Sequence, residues 1–170
     1  MGLTSIPLVL SLLAAAVPPS EVPSPAAAPM ASEAFAVWLQ QANLEELELG
    51  CIDPAIGMAN ARRQQIRDRL LVLHPAPQSF DLVLANATAL LRCGSPDSAA
   101  VVLQRTSPGS PLERRQWLLL RWRAAAAALD HHEAALALRR LVGGDLQTLS
   151  ELEMEPGLTG LDQLAAHEAA

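Results

Sequence analysis

Asp130-His131-His132-Glu133 is the densest run of metal-ligand side chains in this chain, and imidazoles beside carboxylates are what a zinc or iron site draws on. The spacing argues against that chemistry. Adjacent helical residues point about 100° apart, whereas ligand pairs on a helix sit three or four residues apart, as in H-E-x-x-H. Asp130 and Glu133 are instead spaced as a capping box that opens a helix, with both imidazoles in its solvated first turn. His74 precedes Pro75 in a turn and His167 lies near the C-terminus, neither with a nucleophile close in sequence. Gly157 and Gly160 flank a short Leu-Thr turn with no strand before it, so no phosphate loop is read there. We assign no catalytic residue, no metal ligand and no cofactor.

Cys51 and Cys93 are the only thiols. In an exported chain they could form one bridge whose loop closure is worth roughly 3 to 4 kcal/mol. The reading taken is two unpaired, largely buried cysteines. Trp38, Trp117 and Trp122 are read as packing between helices. Asn86-Ala87-Thr88 matches a glycosylation sequon, but it falls inside an apolar helical segment, where the match carries little weight.

Every basic residue is Arg. Twelve Arg and six acids between residues 54 and 142 give that stretch a charge of +6, while the acids alone give each flank −6. The net charge of −6 has the wrong sign for a phosphate backbone and excludes a general nucleic-acid binder. An anionic peptide could still meet the central stretch, or the opposite charges could offset one another within the fold.

Hydrophobic residues make up 51% of the chain and aromatics 3%, so Ala, Leu and Val must form the core and strands are set aside. The expected fold is all-α, an antiparallel helix-hairpin array of about eight helices. They run near 32–49, 54–73, 77–93, 96–106, 111–129, 131–142, 145–154 and 159–168. Asp53-Pro54, Ser95-Pro96 and Ser110-Pro111 each set a capping acceptor before a Pro at the first helical position. Gly50, Gly94 and Gly143-Gly144 stand at expected helix ends. The segments 79–91 and 116–129, apolar on most faces, belong at the centre, and 62–73 reads as an outer helix with Ile66, Leu70 and Leu73 inward. The acidic segment from Asp145 reads as a capping unit prone to fray.

Ser98–Arg105 aligns with Glu133–Arg140 at an offset of 35 residues, and the helices before them align likewise. A two-helix unit of that length resembles the tetratricopeptide repeat. Ala87, Leu90, Gly94, Ala99 and Leu103 match the motif in one unit, and Ala125, Ala134 and Leu138 in the next. Trp122 stands where a small residue is usual and Leu129 where glycine is usual, while Asn86 and Arg121 take a normally apolar place. The resemblance covers Phe80 to Val142. It implies a concave face that binds an extended protein or peptide segment, with Thr88, Arg92, Gln116 and Arg123 facing the groove and the two Arg suited to a carboxylate.

Residues 1–16 hold an apolar run ending in Ala14-Ala15-Ala16, of a length that suits a signal peptide rather than a spanning helix of about 20 apolar residues. No Arg or Lys precedes that run. Residues 17–31, with five Pro, form an extended linker before a helical-repeat domain at 32–170. The expectation is a non-enzymatic scaffold or adaptor, periplasmic, lumenal or secreted if the leader is cleaved and cytoplasmic otherwise. It has no transmembrane helix in the mature chain. The alternative is a self-associating structural subunit of an envelope or thylakoid-associated assembly. A metal-assisted enzyme acting through His131 and His132 ranks third.

Overall fold

The computed structural model describes residues 30–57 and 59–170 and is all-α apart from one small hairpin of strands. The expected leader and all of the linker before Met30 lie outside the described residues. Among the described residues ten helices follow in order: α1 (Ser32–Gln41), α2 (Leu44–Ile52), α3 (Pro54–Gly57), α4 (Asn60–Val72), α5 (Phe80–Arg92), α6 (Pro96–Leu103), α7 (Pro111–Ala127), α8 (His131–Leu141), α9 (Leu146–Glu151) and α10 (Gly160–Ala169). No helix among the described residues is long and apolar enough to cross a membrane.

The structure departs from the sequence-based expectations at several points. The helix expected at 32–49 breaks at Asn43, whose Oδ1 accepts from Glu46 N–H at 3.0 Å while Glu46 Oε2 accepts from Asn43 N–H at 2.8 Å. That reciprocal cap restarts the helix as α2. Gly50 does not end a helix, since α2 runs on to Ile52. Its missing Cβ makes room for Trp38, whose Cη2 would lie 2.5 Å from a methyl there. Strands were set aside, yet Glu153–Glu155 (β1) pairs antiparallel with Leu158–Thr159 (β2) around Pro156-Gly157, where Gly157 takes φ +77°. The acidic end is therefore built into the fold, with Leu149 and Leu164 buried and α10 packed on α8.

The 35-residue offset survives folding. Ala99 and Ala134, Leu103 and Leu138, and Ala89 and Ala124 are buried in pairs. Gly94 turns out of α5 at φ +68° and Leu129 turns out of α7 at φ +60°, although Leu carries the Cβ that this region disfavours. Both turns close with the same bonds: Ser95 N–H donates to Leu90 O and Asp130 N–H to Ala125 O, each at 2.9 Å. The two hairpins α5–α6 and α7–α8 contact each other through α5, α6 and α7, and α2 and α4 also pack on α5. The core falls into two clusters with α7 as the wall between them. Leu120 and Ala124 join the larger, N-terminal one, and Trp122 joins Ala134, Leu138, Leu149 and Leu164 in the other.

Carbonyls at several helix ends are satisfied by side chains from other helices. Leu70 O accepts from Asn86 Nδ2 at 3.1 Å, Leu71 O from Arg105 at 2.8 Å, and Leu103 O from Trp117 Nε1 at 2.9 Å. Cys93 O accepts from both Nε and Nη2 of Arg67. Orphan carbonyls of the last turn need such donors, and the multi-donor guanidinium supplies them at long reach. Asn86, fully buried where an apolar residue was expected, acts as one such donor. Arg121, at the equivalent position 35 residues on, lies over the Trp117 ring and pairs with Glu133 at 2.6 Å.

Cys51 and Cys93 are bridged, with Cα atoms 5.2 Å apart, contrary to the expectation of free thiols. The packing of α2 on α5 sets the last turns of both helices side by side, and the bridge closes that junction.

Candidate functional site

α5 and α7 lie against each other, and residues three and four apart on a helix share a face. Thr88, Leu91 and Arg92 from α5 therefore meet Leu120, Arg123 and Ala127 from α7 around one open concavity of about 350 Å³. The floor is apolar and the rim carries two guanidinium groups. Thr88 Oγ1 donates to Leu84 O at 2.8 Å, which leaves its lone pairs for a donor in the concavity. Arg123 is exposed and has no hydrogen-bond or ion-pair partner among the described residues. Arg92, also exposed, pairs with Glu48 of α2. The Glu48 side chain is only 19% exposed against 66% for Arg92, so the pair anchors the guanidinium at the rim while its outer side stays open to a carboxylate.

Three of the four residues expected at a groove thus share one concavity. Gln116 does not line it. It sits on the exposed side of α7 seven residues before Arg123, which places it roughly 10 Å along the helix axis. The apolar floor and Glu48 were not foreseen. Leu91 and Leu120 fall in segments apolar on most faces, and Glu48 comes from outside the repeating stretch, so only the fold brings it to Arg92.

The other candidates take different roles. Asp130 Oδ1 caps α8 by accepting from Glu133 N–H at 3.0 Å, but the box is half-formed, because the Glu133 carboxylate turns to Arg121. His132 is exposed. His131 is not solvated as expected; it is half-buried, with Nδ1 3.1 Å from Nδ1 of His167. His74 is half-buried, and its own carbonyl accepts from Gln78 Nε2. Among the described residues no three His, Cys, Asp or Glu side chains gather as a metal site. Asn86 of the sequon is wholly buried. Gly160 opens α10 beneath Leu149, whose Cδ1 would lie 2.5 Å from an added Cβ.

The chain matches no family model, no curated protein and no solved structure.

The fate of the Arg residues bears on recognition. Arg62, Arg67, Arg69 and Arg105 donate to backbone carbonyls, and Arg92, Arg121 and Arg139 pair with carboxylates. Glu48 and Glu168, the partners of Arg92 and Arg139, belong to the two acidic flanks, so part of the charge asymmetry closes on itself. Much of the remaining free positive charge lies along α7 and the end of α8, at Arg114, Arg115, Arg123 and Arg140.

Proposed function

We propose that this chain is a non-catalytic, tetratricopeptide-like binding module that acts outside the cytoplasm and takes an acidic, partly apolar peptide segment of a partner protein on the face shared by α5 and α7. The observation that carries this reading is the convergence of Thr88, Arg92 and the unpartnered Arg123 on one apolar-floored concavity. A carboxylate on the rim would meet forked donors, and a Leu or Met side chain would fill the floor over Leu91 and Leu120. The bridge between Cys51 and Cys93 supports an oxidising compartment, as does the apolar run ending in Ala16.

The test is binding of an acidic peptide library to the purified chain, followed by Arg123→Gln. Loss of a charge-assisted contact of about 1.5 to 3 kcal/mol predicts roughly ten- to a hundredfold weaker binding. Unchanged affinity removes the α5–α7 face from the reading.

A second reading, self-association, draws on a different surface. Val37, Leu49 and Ile52 are more than half exposed around the Trp38 edge of α1 and α2. Light scattering across a concentration series separates the two: a monomer with an intact peptide site supports the adaptor, and a dimer lost on Ile52→Asp supports the subunit.

A further inference from the structure

His167, in the last turn of α10, accepts a hydrogen bond through Nε2 from Trp122 Nε1–H at 3.2 Å, while its Nδ1 faces Nδ1 of His131 at 3.1 Å. Tryptophan is only a donor, so Nε2 of His167 must be unprotonated, and its proton sits on Nδ1 and is given to His131. The chain of bonds Trp122 to His167 to His131 thus fixes both rings as neutral imidazoles of one tautomer each. A single added proton costs one of the two bonds. On His167 it sets two N–H groups against each other at Trp122, and on His131 it does the same between the rings.

The three residues come from α7, α8 and α10, and α10 is also held on α8 through Leu164 in the smaller core cluster and through the Arg139–Glu168 pair. We propose that the Trp122–His167–His131 chain is a proton-sensitive latch that keeps the C-terminal unit docked at neutral pH and releases α10 on acidification. Most charged groups on the elements packed around the rings have partners of their own, and the free Arg114, Arg115 and Arg123 of α7 and Arg140 of α8 make no bond to either imidazole. Arg121 of α7 pairs with Glu133 of α8, and Arg139 of α8 pairs with Glu168 of α10. Asp130 caps α8, Asp162 caps α10, Glu155 of β1 bonds Gln163, Glu151 of α9 bonds Gln147, and His132 is exposed. No carboxylate bonds either imidazole among the described residues.

Burial of the His167 ring, and secondly the like charge that His131 would carry, lower its pKa below the ordinary imidazole value. The folded chain therefore binds that proton more weakly than the unfolded chain. The stabilisation is complete above the ordinary imidazole value and is lost as pH falls through the lowered one. A metal ion could span the two Nδ1 atoms, but a metal-bound imidazole keeps its other nitrogen protonated, which the Trp122 donor opposes, and no third ligand gathers.

The experiment follows the Trp122 indole N–H resonance of the full chain by NMR between pH 8 and pH 5, assigned through Trp122→Phe. A single sigmoidal shift with its midpoint below about 6.5 is expected, with Trp38 and Trp117 flat. His131→Gln should raise the midpoint, and His167→Gln, whose amide oxygen accepts from Trp122 without titrating, should flatten the curve. Amide-exchange protection in α10 should fall about tenfold relative to α5 for each unit by which the pKa is lowered. A flat Trp122 resonance in the unsubstituted chain, or α10 protection that tracks α5 at every pH, overturns the latch whether or not the variants fold.

Discussion

Reducing the bridge between Cys51 and Cys93 should destabilise the chain by about 4 kcal/mol, the loop-closure entropy of a 42-residue separation at 25 °C. The loop it closes contains α3, α4 and α5, and both half-cystines are buried, at 3% and 2% exposure, so reductant reaches them only after the chain opens. The measurement is therefore an equilibrium urea titration, followed by tryptophan fluorescence, with and without reductant. With a slope of about 2 kcal/mol per molar urea the midpoint should fall by roughly 2 M. Cys51→Ser/Cys93→Ser should match the reduced chain and ignore the reductant. Coincident midpoints, or two free thiols titrated per native chain, would refute the reasoning, and with it the oxidising-compartment support for export.

Leu129→Gly should stabilise the chain, because the left-handed conformation costs a Leu about 1 to 2 kcal/mol and the greater freedom of unfolded Gly returns only part of that. At 73% exposure Leu129 loses little packing, and a thermal melt should rise by about 3 °C. The carboxyl of Asp162 is held below the usual aspartate range, first by the Thr159 hydroxyl and then by the Thr159 backbone N–H. Its contribution is present above the ordinary aspartate value and is lost as pH falls through the lowered one. Carboxyl carbon chemical shifts should show that depressed midpoint, and Thr159→Val should move it up; an unmoved midpoint would contradict the assigned cause.

The repeating hairpins were legible because they rest on residue types that leave few options. Small Ala99 and Ala134 and large Leu103 and Leu138, at one fixed offset on helices, can exclude water only by nesting, and all four are fully buried. The break at Asn43 was overlooked although Asn43 and Glu46 carry the capping signature, since Leu39 through Leu49 continue an apolar pattern straight across it. The strand pair from Glu153 to Thr159 is too short to show an alternating pattern, and its turn residues alone do not distinguish a hairpin from a helix end. Long-range pairings were the least legible. Two cysteines in a sequence do not reveal a Cα separation, and nothing local joins Glu48 to Arg92 or His131 to His167. At the candidate site, Thr88, Arg92 and Arg123 line one concavity while Gln116, two turns before Arg123 on α7, does not, because a shared helix face does not fix how far along the helix a concavity reaches.

Arrays of helix pairs ordinarily lengthen by copying a module between its neighbours. Here Trp117 reaches back to Leu103, Arg105 and Asn86 to the end of α4, and Arg67 forward to Cys93. Splicing a duplicate into any of these joints would separate a donor from the carbonyl it serves. The stitching thus locks the number of modules as well as their order, and a lengthened descendant would first have to evolve new terminators at the insertion point.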